Sequence, residues 1–321
     1  ANTSCKECLP LILTTGTLLN FIRKEKRDSN IVVYFMPTGS GPCRFGQYYI
    51  FMEDLVRRLG IPDVALFSLT SENSYTGMGN NFQLKVWWGI IVSDAMEDIR
   101  SMILANATDV GAAINIFDKE WELIIEQFEK GDFAPLEKQL HSTANLLKRI
   151  HMKRSIEEVP TIALVGEIFV RRDGLSRQYL TERLAEKGFA TTCSPIAEWI
   201  LYTDFLVEKG LVDYNMSKME KLEFMLRKRT MARYKKRIKG VLSRSGFIHK
   251  EPLKIKAVID NAAPYISPKL AGEAILTVGS SLNEVASHAC GVIAIGPFGC
   301  MPNRLSESLL NEAMNLSLIH I

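Results

Sequence analysis

Two cysteines of this chain occupy the same local setting, one in which a thiolate could bind a metal. Cys43 comes after an apolar run at residues 31–36 and a segment rich in glycine and proline, and a helical pattern begins at Arg44. Cys300 likewise follows an apolar run, at residues 291–295, and a Gly/Pro segment, and a helical pattern comes next. Such positions lie at the carboxyl end of a parallel sheet and at a helix N-terminus, where the helix dipole favours a thiolate or a bound anion.

A Cys-x-x-Cys pair, Cys5 and Cys8, adds two thiols near the start of the sequence. Structural zinc sites have four ligands, commonly from two such pairs, and this sequence has a single pair. Iron–sulfur cubanes accept cysteine ligands that are far apart in the sequence. The cysteines therefore favour an iron–sulfur cluster over zinc. The alternative is a structural protein, with zinc or without metal, in which the cysteines are small buried side chains.

The two remaining cysteines have less favourable positions for a shared cluster. Cys193 closes a short strand pattern before a helix, and we interpret it as a buried thiol at the end of that strand. Cys290 precedes the strand pattern that Cys300 follows, which places the two at opposite edges of the sheet. Gly41 belongs to a Gly-x-Gly segment, for which two interpretations are open. Its backbone N–H groups bind a phosphate or the sulfides of a cluster, or the segment is a simple turn.

The elements that must position these residues alternate between strands and helices. Strand patterns occur at residues 31–36, 64–69, 161–166, 190–193 and 291–295. Residues 108–155 and 196–245 read as helical, with a break at residues 131–135 in the first of these segments. Alternation of this kind implies parallel sheets.

We therefore expect an α/β protein with two open, parallel-sheet domains of the Rossmann or flavodoxin type, each with helical additions. The predicted boundaries are residues 1–157 for the first domain, which contains Cys8 and Cys43, and residues 158–315 for the second, which contains Cys300. Ligands of such folds bind in the crevice at the carboxyl ends of the strands, so the crevice between the domains is the expected site.

Composition excludes several classes of protein. The chain has 321 residues, of which 47% are hydrophobic and 23% charged, as in ordinary globular proteins. A net charge of +3 argues against a dedicated nucleic-acid binder, and no apolar stretch is long enough to span a membrane. Six cysteines are too few for a disulfide scaffold, and no signal peptide is visible, so we expect a cytoplasmic protein.

A basic segment at residues 218–239 carries ten Lys and Arg residues. We interpret it as the solvated face of a long helix, with Met219, Leu222, Met225 and Leu226 directed inward. The alternative is a docking site for an acidic electron donor, a CoA phosphate or a nucleic acid.

The ends of the sequence suggest a piece of a longer protein, because the chain has no initiator Met. Residues 316–321 resemble the translation of a sequencing adapter, and we expect them to be a non-native tail. No Walker-type phosphate loop occurs, so we expect no ATP site within these residues.

Three segments resemble the 2-hydroxyacyl-CoA dehydratase family. They are residues 34–48 (YFMPTGSGPCRFGQY), 165–171 (VGEIFVR) and 296–302 (GPFGCMP). More specifically, the chain resembles the iron–sulfur module at the C-terminal end of large acyl-CoA dehydratase activase-related proteins. The resemblance covers nearly all of residues 5–315 and is most specific around Cys43 and Cys300.

The resemblance implies a 4Fe-4S cluster between two α/β domains, with ligands that fall by motif on Cys8, Cys43 and Cys300. An ATP-dependent activator domain or subunit would supply one low-potential electron. The reaction would be radical dehydration or reduction of an acyl-CoA-type substrate, by a lyase or a reductase component that acts as a homodimer or heterodimer. Cys5 and Cys290 depart from the three-ligand pattern, and a double-cubane cluster is the minor alternative.

The resemblance leaves a second function open, an electron relay with no substrate of its own. A substrate-sized crevice beside the cysteines would favour the enzyme, whereas a cluster sealed by side chains would favour the relay. Glu167 and Arg171 follow a buried strand. Arg171 either binds a CoA phosphate or acyl carboxylate, or it pairs with Glu167 and braces the domain interface. Arg44 could hydrogen-bond cluster sulfides and tune their potential.

Overall fold

The computed structural model describes residues 7–39, 41–73, 75, 77–214, 216–249, 254–287 and 289–318. The fold is mixed α/β and 62% helical, with two small parallel sheets. The parallel pairing predicted from the alternation of strands and helices is confirmed. In the described residues the sheets have two and three strands, so helices form most of the structure and position most of the site.

The first sheet pairs β1 (Val32–Phe35) with β2 (Val64–Phe67). Helices α1 (Leu9–Lys24) and α2 (Tyr48–Arg58) pack beside it. The buried residues of this small core are Leu11, Met36, Tyr48 and Met52. The chain leaves β1 toward Cys43 and a short 3-10 turn, so the cysteine lies beyond the carboxyl end of the strand, as predicted.

The second sheet has the order β4–β3–β5, with all strands parallel. Its central strand β3 (Thr161–Gly166) pairs with β4 (Ala190–Cys193) on one side and with β5 (Gly291–Ile295) on the other. Because the three strands run in the same direction, the segments that follow them emerge at one edge of the sheet. Glu167 and Cys300 therefore lie on the same edge.

Nine further α-helices complete the described structure. They are α3 (Asn80–Asn106), α4 (Val110–Lys130), α5 (Phe133–Leu147), α6 (Leu180–Ala185), α7 (Ile196–Glu208), α8 (Lys218–Leu242), α9 (Ile255–Ala262), α10 (Ala274–Ser287) and α11 (Met301–Leu318). The predicted break is confirmed, because Gly131 ends α4 with a φ of 80°. The prediction of helix throughout residues 108–155 is wrong at its end, where Met152 instead forms a bridge with Ala107.

One large core joins helices from both halves of the sequence. Helix α3 contacts β4, α7 and α8, and α5 contacts α8. The core therefore contains buried residues from before and after position 157, such as Trp87, Leu140, Ala190 and Ile238. The division into domains at residue 157 stays a prediction. In the described part of the chain, no helix combines the length and apolar character that a bilayer span needs.

The basic helix α8 buries a different part of its surface from the one predicted. Met219, Leu222, Met225 and Leu226 are each more than half exposed, so the prediction that they face inward is wrong. The buried residues of α8 are Met231, Ile238, Val241 and Leu242. Only the second half of this helix therefore packs into the core.

Candidate functional site

A cavity of about 820 Å³ lies where the carboxyl ends of the two sheets meet helices α3, α7 and α8. Cys8, Cys43 and Cys300 all line it, although they come from the two ends of the sequence. The structure thus brings together the three cysteines predicted as ligands. All three are free thiols.

Cys8 is the N-cap residue of α1, and Pro10 lies in the first turn after it. The hydroxyl of Tyr48 donates a hydrogen bond to the Cys8 Sγ atom over 2.7 Å. Tyr48 begins α2 and is buried in the small core, so this bond ties the two helices together at the cavity wall. Burial raises the pKa of the Cys8 thiol, and the Tyr48 hydrogen bond opposes that shift.

Cys43 and Cys300 each precede a helical turn, as their sequence settings predict. The Sγ atom of Cys43 accepts a hydrogen bond of 3.5 Å from the Phe45 N–H in the 3-10 turn Arg44–Gln47. Cys300 directly precedes α11, and its carbonyl accepts a hydrogen bond from the Arg304 N–H at 3.0 Å. Both sulfurs therefore sit where the chain turns from a strand into a helix.

The pKa values of these thiols differ from the expectation for helix N-termini. Burial raises the pKa of Cys43 to about 11 and that of Cys300 to about 12, and outweighs the backbone N–H groups. The negative charges of Glu167 and Glu273 raise both values further. The expectation that the helix ends alone would favour thiolates is therefore wrong, since desolvation dominates. At neutral pH both thiols are therefore mainly protonated, and a bound cation or metal would favour their thiolates.

The loop that carries Cys43 contacts the loop before α10. Gly41 has a φ of 91°, a conformation that favours glycine, and its backbone packs on the backbone of Ala271 and Gly272. Arg44 is exposed in the turn after Cys43, and its charge is a minor influence that lowers the pKa of Cys8. The predicted site residue Gly41 does not itself line the cavity, and its role in the structure is this contact between the two loops.

Glu167 follows β3 directly and lines the cavity. Its N–H donates to the Ile295 carbonyl at 2.9 Å, and its side chain accepts a hydrogen bond of 2.8 Å from the Val170 N–H. Burial raises the pKa of this carboxyl, against the effect of those backbone N–H groups and of Arg171.

Arg171 is buried and forms an ion pair, although not with Glu167, the partner that one of its two interpretations gave it. Its partner is Glu273, with 2.5 Å between Nη1 and Oε1, and the guanidinium also donates to the carbonyls of Gly166 and Ser194. Arg171 therefore holds the Glu273 side chain in place.

Glu273 is a cavity residue that sequence reasoning missed. It precedes α10, accepts a hydrogen bond of 3.3 Å from the Ile168 N–H, and has a pKa raised to about 7 because it is buried. The charge of Arg171 lowers this pKa and so limits the rise. Two carboxyl groups, Glu167 and Glu273, therefore accompany the three thiols.

Asn303 was also missed, and it lies in the first turn of α11, where its backbone N–H lowers the pKa of Cys300 against the effect of burial. A Cβ atom at Gly296 would lie 2.5 Å from the Asn303 Cγ atom, and one at Gly166 would lie 2.8 Å from Oδ1. Glycines at the ends of two adjacent strands thus make room for this side chain. That pair of glycines was the available signal in the sequence.

Much of the rest of the cavity wall is apolar. This part includes Phe82, Val86 and Ile90 of α3, Ile196 and Ile200 of α7, and Met231 of α8. Trp199 also lines it and donates a hydrogen bond from Nε1 to the Tyr75 hydroxyl at 2.8 Å. We refer to this part as the apolar side and to the part with the thiols and carboxyls as the cysteine side.

The other cysteines lie elsewhere or outside the described residues. Cys193 ends β4 as a buried thiol, which confirms its interpretation. Cys290 is exposed beside Thr161, at the amino-terminal edge of the sheet, so its predicted separation from Cys300 is also confirmed. Cys5 lies outside the described residues.

Among the described residues, no group of three or more His, Cys, Asp or Glu side chains is close enough to hold a single metal ion. The ligands of a cubane are farther apart than those of a single ion, because its ligating sulfurs are separated by about 6 to 7 Å.

Comparison of the chain with protein-family models, with curated proteins and with solved structures found no match.

Proposed function

We propose that this chain is an iron–sulfur protein of the 2-hydroxyacyl-CoA dehydratase type, in which Cys8, Cys43 and Cys300 hold a 4Fe-4S cluster. The observation that supports the proposal most strongly is that these three thiols, far apart in the sequence, line one cavity. Cys193 and Cys290, which carry no such motif, do not line it. Thiolates are the usual protein ligands of iron–sulfur clusters, and three of them would bind three of the four irons of a 4Fe-4S cluster.

The chemistry of the cysteine side fits a cationic iron–sulfur core. Burial favours the protonated form of all three thiols and of Glu167 and Glu273. Binding of iron displaces thiol protons and supplies the positive charge that stabilises the thiolates. When bound, a cluster with three protein ligands supplies one-electron transfer at low potential and an open iron position.

The size and lining of the cavity favour an enzyme over an electron relay. Small-molecule sites typically have volumes of about 300 to 1,000 Å³, and this cavity has a volume of about 820 Å³. Residues of α3 and α7 line it together with the cysteines, so a substrate has room beside the thiols. Glu167 and Glu273 line the same cavity and can accept or donate a proton.

The proposed partners follow from the resemblance to the 2-hydroxyacyl-CoA dehydratase family. The electron would come from an ATP-dependent activator domain or subunit. The substrate would be an acyl-CoA-type compound, which is dehydrated or reduced. A homodimer or heterodimer would be the working assembly.

Anaerobic reconstitution with ferrous iron and sulfide tests the cluster directly. The wild-type chain should bind about four irons and show cluster absorption and, after reduction, a paramagnetic signal. Replacement of Cys8, Cys43 or Cys300 by Ser should remove most of this signal. Cys193→Ser and Cys290→Ser are matched controls that should keep it. A wild type without a cluster, or Cys43→Ser and Cys300→Ser variants with unchanged iron content and spectra, would overturn the proposal.

A further inference from the structure

Helix α8 carries an exposed face that the candidate site does not use. The residues of this face recur at alternating intervals of three and four positions, so they lie on one side of the helix. They are Met219, Leu222, Leu226, Arg229, Arg233 and Lys236, and we call them the outer seam. All six are exposed, and none of them lines the cavity.

The opposite side of α8 fixes the helix to the rest of the protein. Met231, Ile238 and Leu242 are buried there, where α3 and α5 pack against α8. Nearer the start of the helix, Arg227 forms a largely buried ion pair with Asp204, with 2.8 Å between Nη2 and Oδ1. The outer seam therefore lies on a helix that is anchored from its other side.

The first half of the outer seam is apolar. Met219, Leu222 and Leu226 are 67%, 53% and 52% exposed. Alternating intervals of three and four are those of the a and d positions of a coiled coil, where apolar side chains pack against a facing helix. The whole seam is about 26 Å long, a length that one helix of about five turns covers. A single exposed leucine needs no explanation, but three aligned apolar side chains indicate a surface for another helix.

The second half of the outer seam is basic. Three other basic residues of α8 pair with carboxylates, namely Arg227, Lys228 and Arg237. Within the part of the chain that the structure describes, no ion pair engages Arg229, Arg233 or Lys236. These three charges are therefore available to the carboxylates of another molecule.

A second copy of α8 does not fit the outer seam. In a parallel pair, the basic halves of the two copies would face and repel each other. In an antiparallel pair, Leu222 of one copy would face Arg233 of the other, and Leu226 would face Arg229. Each of these charges would then lose water without gaining a carboxylate. The occupant of the seam must therefore carry negative charge opposite the basic half.

Two other anionic occupants match only one half of the outer seam. A polyanion such as a nucleic acid would pair with the basic half and leave the apolar half in water. A bilayer surface takes up helices with apolar residues along their whole buried face, but the apolar residues of the seam end at Leu226. A facing helix with an apolar half and an acidic half matches both parts.

We infer that the outer seam is the docking surface for a helix of a partner protein, which presents apolar side chains to residues 219–226 and Asp or Glu side chains to residues 229–236. Burial of the apolar half would supply affinity, and the carboxylates would fix the register of the partner helix. The inference goes beyond the proposed function and does not depend on it, because the seam lies outside the cavity.

Fluorescence anisotropy of labelled helical peptides with the full chain tests the inference. A peptide of three heptads carries Leu at the a and d positions of one half and Glu at those of the other, and it is made with the Glu half at either end. One of these two Leu/Glu peptides should bind the wild type. A Leu/Lys peptide and a peptide with Glu at every a and d position should each bind at least about tenfold more weakly.

Substitutions on the outer seam separate its two halves. Leu222→Asp should weaken binding of the Leu/Glu peptide at least about tenfold. The triple change Arg229→Glu, Arg233→Glu and Lys236→Glu should reverse the preference, so that the Leu/Lys peptide binds more tightly. The control makes the same change at three exposed lysines outside α8, Lys119, Lys138 and Lys187, and should keep the wild-type preference. Circular dichroism identifies any variant that does not fold.

The inference is overturned when the wild type binds neither Leu/Glu peptide, or when the folded triple variant keeps the wild-type preference. Equally tight binding of the all-Glu peptide would show a general polyanion site in its place. Sedimentation velocity would reveal a second copy as the occupant, by self-association that Leu222→Asp abolishes. Co-sedimentation with phosphatidylserine vesicles, lost in the same variant, would replace the partner helix by a membrane surface.

Discussion

Gly41 and Gly272 are in backbone contact, so that a Cβ atom at position 41 would lie 2.9 Å from the Gly272 nitrogen. This contact joins the loop that carries Cys43 to the loop that ends at Glu273. A side chain at position 41 would have to separate the two loops. The cysteine side of the cavity therefore depends on a residue without a side chain.

Gly41→Ala should destabilise the protein by about 1 to 3 kcal/mol, because alanine meets both the close contact and an unfavourable φ of 91°. Urea denaturation measures the change. Gly240→Ala is the control, since a Cβ atom there meets nothing within 4 Å and alanine suits the interior of α8. The control should be neutral or stabilising by up to about 1 kcal/mol. Equal midpoints for the two variants would contradict the importance of the Gly41 contact.

Tyr48→Phe removes only the hydroxyl that donates to the Cys8 sulfur. Because that hydrogen bond lowers the thiol pKa against the effect of burial, its loss should raise the pKa further. Alkylation of Cys8 near neutral pH should then slow on the order of fivefold, the effect of about 1 kcal/mol. Mass spectrometry after timed treatment with iodoacetamide measures the rate in the iron-free chain. Tyr49→Phe, the neighbouring tyrosine, should leave the rate unchanged, and a similar rate in Tyr48→Phe would exclude the proposed effect.

Asp94→Ala should be among the most destabilising single changes in the chain. The buried carboxylate accepts hydrogen bonds of 2.9 and 3.0 Å from two N–H groups at the start of α7, and it pairs with Arg172 at 2.8 Å. Its loss leaves a largely buried guanidinium without this partner, which costs about 3 to 5 kcal/mol. Asp54→Ala, which breaks the exposed pair with Arg58, should cost less than about 1 kcal/mol. Chemical unfolding of both variants tests the difference, and similar losses would show that the buried network is dispensable.

The settings of Cys43 and Cys300 could be predicted because they depend on short local patterns. An apolar strand, a Gly/Pro segment and a helix start are all encoded within about a dozen residues. Glu273 could not be found in this way, because its role arises from an ion pair with a residue 102 positions away. Composition and spacing carry no information about such a contact.

The error in α8 has a different cause. The spacing of Leu222 and Leu226 is that of a buried helical face, but periodicity does not show whether another element covers that face. In the structure α3 and α5 pack against α8, and burial begins at Met231. The elevated thiol pKa values have a similar origin, since the depth of a cavity is a property of the assembled fold.

Glu198→Gln should reduce the dependence of stability on pH. Glu198 is fully buried on α7 and accepts a hydrogen bond from the Ser280 hydroxyl, and burial raises its pKa from 4.5 to about 7. The folded chain therefore keeps this proton at pH values where the unfolded chain loses it. Its contribution to stability is fully present below pH 4.5 and is lost as the pH rises through about 7.

Urea unfolding at about pH 5 and about pH 8 measures this contribution. The free energy of unfolding should fall between these two conditions by about 1 to 3 kcal/mol less in Glu198→Gln than in the wild type. Glutamine retains the acceptor for Ser280, so the variant should fold. Parallel pH profiles for the two proteins would show that Glu198 does not titrate in this range.

The shared core of α3, β4 and α8 has a consequence for how the cavity can be observed. Its walls come from residues before and after position 157, so the cavity exists only when both parts of the chain are folded together. A compound that occupies it binds the folded chain and has no equivalent site on the unfolded one. At a free concentration of about one hundred times its dissociation constant, it would add about 2.7 kcal/mol to stability. The melting temperature of the chain is thus a direct readout of cavity occupancy.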